Sequence, residues 1–149
     1  MSETTAFNHV GQCVTDLARS RRFYEEVFGF TFERLLEPPD DPSARLLQLE
    51  PPVGMKVAYL RRDGLVLELL QFDREGNPAF RPRAMNEPGL THLSLSVEDL
   101  EATADRVRDH GGQVVDETRI PGAFFIRDPD GQLVELLPMA YRRRLDARD

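Results

Sequence analysis

The sequence predicts an α+β fold in which one unit, a strand, a helix and further strands, is used twice. Three observations carry that prediction. An offset of 83 residues takes His9 to His92, Val14 to Val97, Asp16 to Asp99, Leu17 to Leu100 and Gly29 to Gly112, so that FNHVGQCVTDL matches LTHLSLSVEDL. An offset of 67 takes Asp63 to Asp130, Gly64 to Gly131, Glu68 to Glu135 and Leu70 to Leu137, aligning DGLVLELL with DGQLVELL. The two offsets differ by 16 residues, so the first copy holds extra chain between its helix and its last strand, and the Pro-rich stretch at 37–54 is the place for it.

Each copy opens on an alternating run, 7–14 and 90–97, read as a strand because apolar residues recur at every second position. Val10 and Val14 share one face in the first copy, as do Leu93, Leu95 and Val97 in the second. The opposite faces carry His9, Gly11 and Cys13, and His92, Ser94 and Ser96, small and polar as the lining of a cup would be. Helices follow at 16–28 and 99–110, where Leu17, Tyr24, Val27 and Phe28 recur at helical spacing. Asp16 and Asp99 stand at their starts as caps or dipole-compensating acids, and Gly29 and the pair Gly111 and Gly112 end them with a left-handed turn. Further strands are expected at 30–36, 55–61, 65–72, 113–119, 122–127 and 132–137, the last two joined by the turn signal Asp128-Pro129-Asp130-Gly131.

A chain of 149 residues with 40% hydrophobic content fits one domain with a sizeable core, spanning 1–149. Module one covers about 6–72, module two about 90–139, and 73–89 reads as a linker. The single cysteine, Cys13, excludes a disulfide framework and a Cys-based zinc site, and is expected to be a small buried filler. The N-terminus lacks a basic region followed by an apolar one, and no apolar run is long enough to span a bilayer, so the expected location is cytoplasmic. A net charge of -7 argues against a nucleic-acid surface. The run Arg142, Arg143, Arg144, in a tail with Asp146 and Asp149, reads as a solvated terminus.

Four ionisable residues recur at matched positions: His9 and Glu68 in the first copy, His92 and Glu135 in the second. Each falls in an apolar, strand-like run, where an unpaired ionisable group is expensive. In LVLELLQF, Val66, Glu68, Leu70 and Phe72 share a face, and Glu135 shares one with Leu133 and Leu137. If the strands curl so that these faces look inward, two imidazoles and two carboxylates converge. Nitrogen and oxygen donors of this kind suit one divalent metal per site, Zn, Ni, Co, Mn or Fe(II). Alone, each histidine or acid has a plainer reading, as a core histidine or an arginine partner; coincidence at repeat-matched positions favours the metal. His110, in RDHGG, is explained by a dipole contact at its helix end.

The segments NHVGQCVTDLARSRRFYEEVFGF, LVLELLQF, GLTHLSLSVEDL and DPDGQLVELL resemble the vicinal-oxygen-chelate superfamily, which includes glyoxalase I, methylmalonyl-CoA epimerase, fosfomycin-resistance proteins and extradiol dioxygenases. The resemblance runs from about residue 6 to 139. It implies two tandem βαβββ modules forming a curled mixed sheet around a metal site, the glyoxalase/bleomycin resistance/dioxygenase fold. It also implies His9, Glu68, His92 and Glu135 as the ligands and a homodimer, in some members with the site completed across the interface.

Four protein ligands leave up to two octahedral positions for substrate oxygens, which favours Lewis-acid work on a carbonyl. Glu68 or Glu135 would then carry a proton to and from the neighbouring carbon. The expectation is a metal-dependent epimerase or isomerase acting through an enolate or enediolate, on a small molecule of the acyl-CoA thioester or polyhydroxy ketone type. A glyoxalase I-like lactoylglutathione lyase is the alternative, favoured by the two glutamates, although ETRIPGAFF is short where those enzymes carry a longer glycine-rich loop. Oxygen chemistry needs only a triad of His9, His92 and Glu135 and would leave Glu68 superfluous. A non-catalytic binding or resistance protein usually lacks the ligand set. Arg61 or Arg127 are candidates for holding an anionic substrate group.

Overall fold

Asp16 and Asp99 cap their helices as the sequence predicts: each carboxylate accepts a backbone N–H three residues on, from Arg19 and from Ala102, at 2.9 Å. In the computed structural model, which describes residues 4–148, the chain runs β1 (Val10–Cys13), α1 (Leu17–Phe28), β2 (Thr31–Leu36), α2 (Asp40–Leu47), β3 (Met55–Arg62) and β4 (Leu65–Phe72). It continues through β5 (Leu93–Val97), α3 (Leu100–Asp109), β6 (Gln113–Ile120), β7 (Ala123–Arg127), β8 (Leu133–Pro138) and α4 (Met139–Asp146). Residues 1–3 and Asp149, the latter counted with the tail above, lie outside the described residues.

Contacts divide the chain between Pro78 and Ala79 into two compact units. Each holds one mixed four-stranded sheet, in the order β1-β4-β3-β2 and β5-β8-β7-β6. The repeat read from the offsets is therefore a repeat of topology: a first strand parallel to the last, and the remaining pairs antiparallel. These are two βαβββ modules in an α+β chain.

In the first unit α1 packs on β3 and β4. Phe23 and Tyr24 are fully buried with Leu60, Leu67 and Leu69, and Tyr24 meets Phe23 and Phe30 edge to face at 5.4 and 5.6 Å. The alternation read from β4 is observed, because Leu67 and Leu69 are buried while Glu68 points to the other, partly open face. In the second unit Val134 and Leu136 are buried and Glu135 is not, by the same period of two. Gly29 adopts φ 67° at the end of α1 and Gly111 φ 82° just after α3. Asp63 and Gly64 both have positive φ, giving β3 and β4 a tight hairpin.

Four expectations need correction. The Pro-rich insertion contains a helix, α2. Pro42 lies in its first turn, where a missing N–H costs nothing, and Asp40 accepts from Val53 N at 2.7 Å and Gly54 N at 3.0 Å, closing the insertion on itself. The tail is exposed but helical: α4 buries no residue, and Arg142 pairs with Asp146 one turn on at 2.8 Å while Arg143 reaches Glu98 at 3.0 Å. Cys13 is exposed, not a buried filler, because it shares the open face of β1 with Gly11. The opening strands are shorter than expected, so His9 and His92 sit immediately before β1 and β5 and not within them. No helix among the described residues is long and apolar enough to cross a membrane.

Candidate metal centre

Each unit brings its own histidine and glutamate together. In the first, His9 Nε2 lies 3.1 Å from Glu68 Oε2, with the side chains 38% and 13% exposed. In the second, His92 Nε2 lies 3.8 Å from Glu135 Oε2, at 30% and 28% exposure. The pairing follows from the sheet order. β1 runs parallel beside β4 with Gly11 opposite Glu68, and β5 beside β8 with Ser94 opposite Glu135, so a histidine two residues before Gly11 or Ser94 stands at the edge of the acid's face. Neither imidazole is buried, so the burial penalty invoked from the sequence applies to Glu68 more than to the histidines.

Two ligands sharing one metal at ~2.1 Å, on cis octahedral or tetrahedral positions, stand roughly 3 to 3.5 Å apart. The His9–Glu68 spacing falls in that range and the His92–Glu135 spacing just outside it. The first pair is thus spaced as two ligands of one ion, and the second would have to close slightly to match it. Among the described residues no group of three or more His, Cys, Asp or Glu side chains is gathered for a metal.

The two half-sites differ in the hydroxyl that holds each acid. Tyr59, cross-strand from Glu68, donates its phenol to Glu68 Oε1 at 2.7 Å. That bond, burial and the carboxylate charge together raise the tyrosine pKa above its ordinary value. Both oxygens of Glu68 are therefore engaged. At the matching place opposite Glu135 stands Phe125, which has no hydroxyl; here Ser94 donates to Glu135 Oε2 at 2.6 Å, from the position Gly11 holds in the first copy. The rings themselves are equivalent, with His9 edge to face on Tyr59 at 6.0 Å and His92 on Phe125 at 5.2 Å. Thr91 Oγ1 lies 2.8 Å from His92 Nδ1 and fixes that ring from behind.

Tyr59 and Ser94 were not singled out by sequence reasoning. Ser94 was legible as the cup-face residue opposite Glu135, whereas Tyr59 needed the β3–β4 register. Of the two arginines offered for an anionic group, Arg61 is taken up by Glu33, its Nε 2.5 Å from the carboxylate, while Arg127 donates to Gly131 O at 2.9 Å and lies over the Phe80 ring at 5.8 Å. His110 behaves as expected, its Nδ1 2.8 Å from Arg106 O at the end of α3.

The topology and the sequence agree on one class. The model of the Glyoxalase/Bleomycin resistance protein/Dioxygenase superfamily matches residues 6–136, and the chain belongs to that superfamily. A relative in Synechocystis sp., a probable lactoylglutathione lyase, is 30% identical over 144 residues, covering 87% of this chain and 92% of the relative. Among solved structures, a glyoxalase family protein from Bacillus cereus superposes with a TM-score of 0.75 at 21% identity, over 93% of this chain and 97% of that one. The trypanothione-dependent glyoxalase I of Leishmania major does so with 0.65 at 24% identity, over 94% and 93%. Both structural likenesses are likenesses of fold.

Proposed function

We propose that this protein is a metal-dependent enzyme that moves a proton on the carbon beside a substrate carbonyl, through an enolate or enediolate of the substrate. The observation that carries this is the pair of His/Glu half-sites at repeat-matched positions. His9, Glu68, His92 and Glu135 would hold one divalent ion, Zn, Ni, Co, Mn or Fe. When bound, that ion supplies Lewis-acid polarisation of the carbonyl, which acidifies the adjacent C–H.

The chain's own residues supply the proton chemistry. A carboxylate accepts the proton from carbon and returns it to the same or the neighbouring carbon. Returned to the same carbon on the opposite face, it gives an epimer; returned to the neighbouring carbon, it gives an isomerised product, as in a lactoylglutathione lyase. Tyr59 and Ser94 hold one oxygen of each acid and so fix the direction of its other lone pairs. The 30% identity to a probable lactoylglutathione lyase favours the isomerised outcome, on a hemithioacetal. Epimerisation of an acyl-CoA thioester or polyhydroxy ketone uses the same groups and is the second reading. A homodimer is part of the proposal, checked by sedimentation.

The test is solvent deuterium incorporation, followed by NMR with hemithioacetal, thioester and ketone substrates. Metal-dependent exchange at the carbon beside the carbonyl is expected. Metal-dependent oxygen uptake without exchange would overturn the reading.

A further inference from the structure

The stretch 79–90, which opens the second unit, is structured although it holds no helix or strand. Arg83 ties residues 83–90 into a knot, donating to Glu87 O, Pro88 O and Leu90 O at 2.9, 2.7 and 3.2 Å. The Glu87 carboxylate accepts Ala84 N at 2.9 Å. Phe80 anchors the other end on Gly131, so closely that a Cβ there would stand 2.7 Å from its ring. Between this strap and the β7–β8 turn lies a hollow of about 70 Å³, space for roughly five water-sized groups.

Its lining is unusual for this chain. The protein carries a net charge of -7, yet three arginines and no Asp or Glu line the hollow. Arg83 is occupied by carbonyls, and Arg81 stands 3.6 Å from Glu87. Arg127 has no carboxylate partner among the described residues. Beside these cations Phe80, Met85 and Leu90 are 54%, 46% and 82% exposed, so apolar surface that would ordinarily be covered is gathered at one mouth. A hollow of the first unit, at Gly29 and Gly64, has its arginines paired instead, Arg61 with Glu33 and Arg62 with Asp63 at 3.3 Å.

We propose that this hollow is a binding subsite for a carboxylate carried on a short apolar stem, with Arg127 and Arg81 facing the anion and Phe80, Met85 and Leu90 the stem. Thr91 and Leu133 connect it to the candidate centre. Both line the hollow; Thr91 contacts His92, and Leu133 lies two residues from Glu135 on the same face of β8. As a statement about substrate the proposal rests on the metal-dependent reading: the substrate is an anionic carbonyl compound. As a statement about binding it stands alone.

The probe is hexanoate, with hexanamide as its uncharged counterpart, titrated into the full-length protein as purified and again after chelation, and followed by backbone amide NMR. Hexanoate should saturably shift Thr91, Gly131 and Gln132 in both preparations, with an affinity about fivefold above that of hexanamide, the factor of one partly exposed charge pair. Arg127→Gln should remove that preference and Arg127→Lys largely keep it. Because Arg127 also holds Gly131 O, Arg81→Gln, which breaks no backbone contact, serves as the second variant and should lower the preference. Equal affinity for the two probes, or a preference untouched by both Gln variants, would overturn the proposal. So would shifts that follow protein concentration instead of hexanoate, which would mark the patch as a contact between copies. Metal retention in His92→Ala alongside intact hexanoate binding would instead sink the metal assignment and leave the subsite standing.

Discussion

At the residue scale, the two acids of the candidate centre are held by different hydroxyls from opposite neighbours, and this asymmetry is measurable. Tyr59→Phe removes the bond to the more buried acid, Glu68, while the ring itself is tolerated, since Phe125 occupies the equivalent place. A loss of about 1 kcal/mol in urea denaturation is expected. Ser94→Ala should lose less, because Glu135 is more exposed and water replaces the hydroxyl. Glu33 provides the pH-dependent case. The hydrogen bond from Arg61 holds its carboxyl below the ordinary carboxylate value. A lowered folded-state pKa gives stability present above the unfolded value and lost as pH falls through the folded one. Carboxyl NMR should find Glu33 titrating below the ordinary carboxylate value, and Arg61→Gln should raise it.

At the scale of elements, the helix starts, the alternation in β4 and β8 and the turn between β7 and β8 were legible, because each rests on a local rule. Asp16 and Asp99 are visible as caps without any tertiary knowledge, and the structure gives both the same 2.9 Å bond. Replacing either by Ala should cost about 1 kcal/mol, with chemical denaturation as the readout. Equal losses are expected, since the caps are copies of one another. What stayed hidden depends on non-local contacts. The sequence of α2 reads as a Pro-rich loop until Asp40 is seen bonded to the chain 13 and 14 residues on. Tyr59 reads as an ordinary strand aromatic until β3 is laid against β4. The strap at 79–90 has no periodicity at all; its order comes from one arginine bonding three carbonyls.

At the scale of the whole chain, duplication made the candidate centre readable. One histidine or one glutamate in a strand says little; four at offsets defined by apolar residues say a great deal. The same duplication produced two sheets of one topology and two His/Glu pairs, and membership of the superfamily accords with the topology. The copies also differ in detail. The first copy has a fully engaged acid and paired surface arginines, while the second has a looser acid and an open cationic hollow. The central claim is that His9, Glu68, His92 and Glu135 hold one divalent metal together, and elemental analysis of purified variants tests it most directly. Wild type and Glu25→Ala should carry about one metal per set of four ligands, whereas His9→Ala, Glu68→Ala, His92→Ala and Glu135→Ala should each lose most of it. Full metal content in the four ligand variants would contradict the assignment.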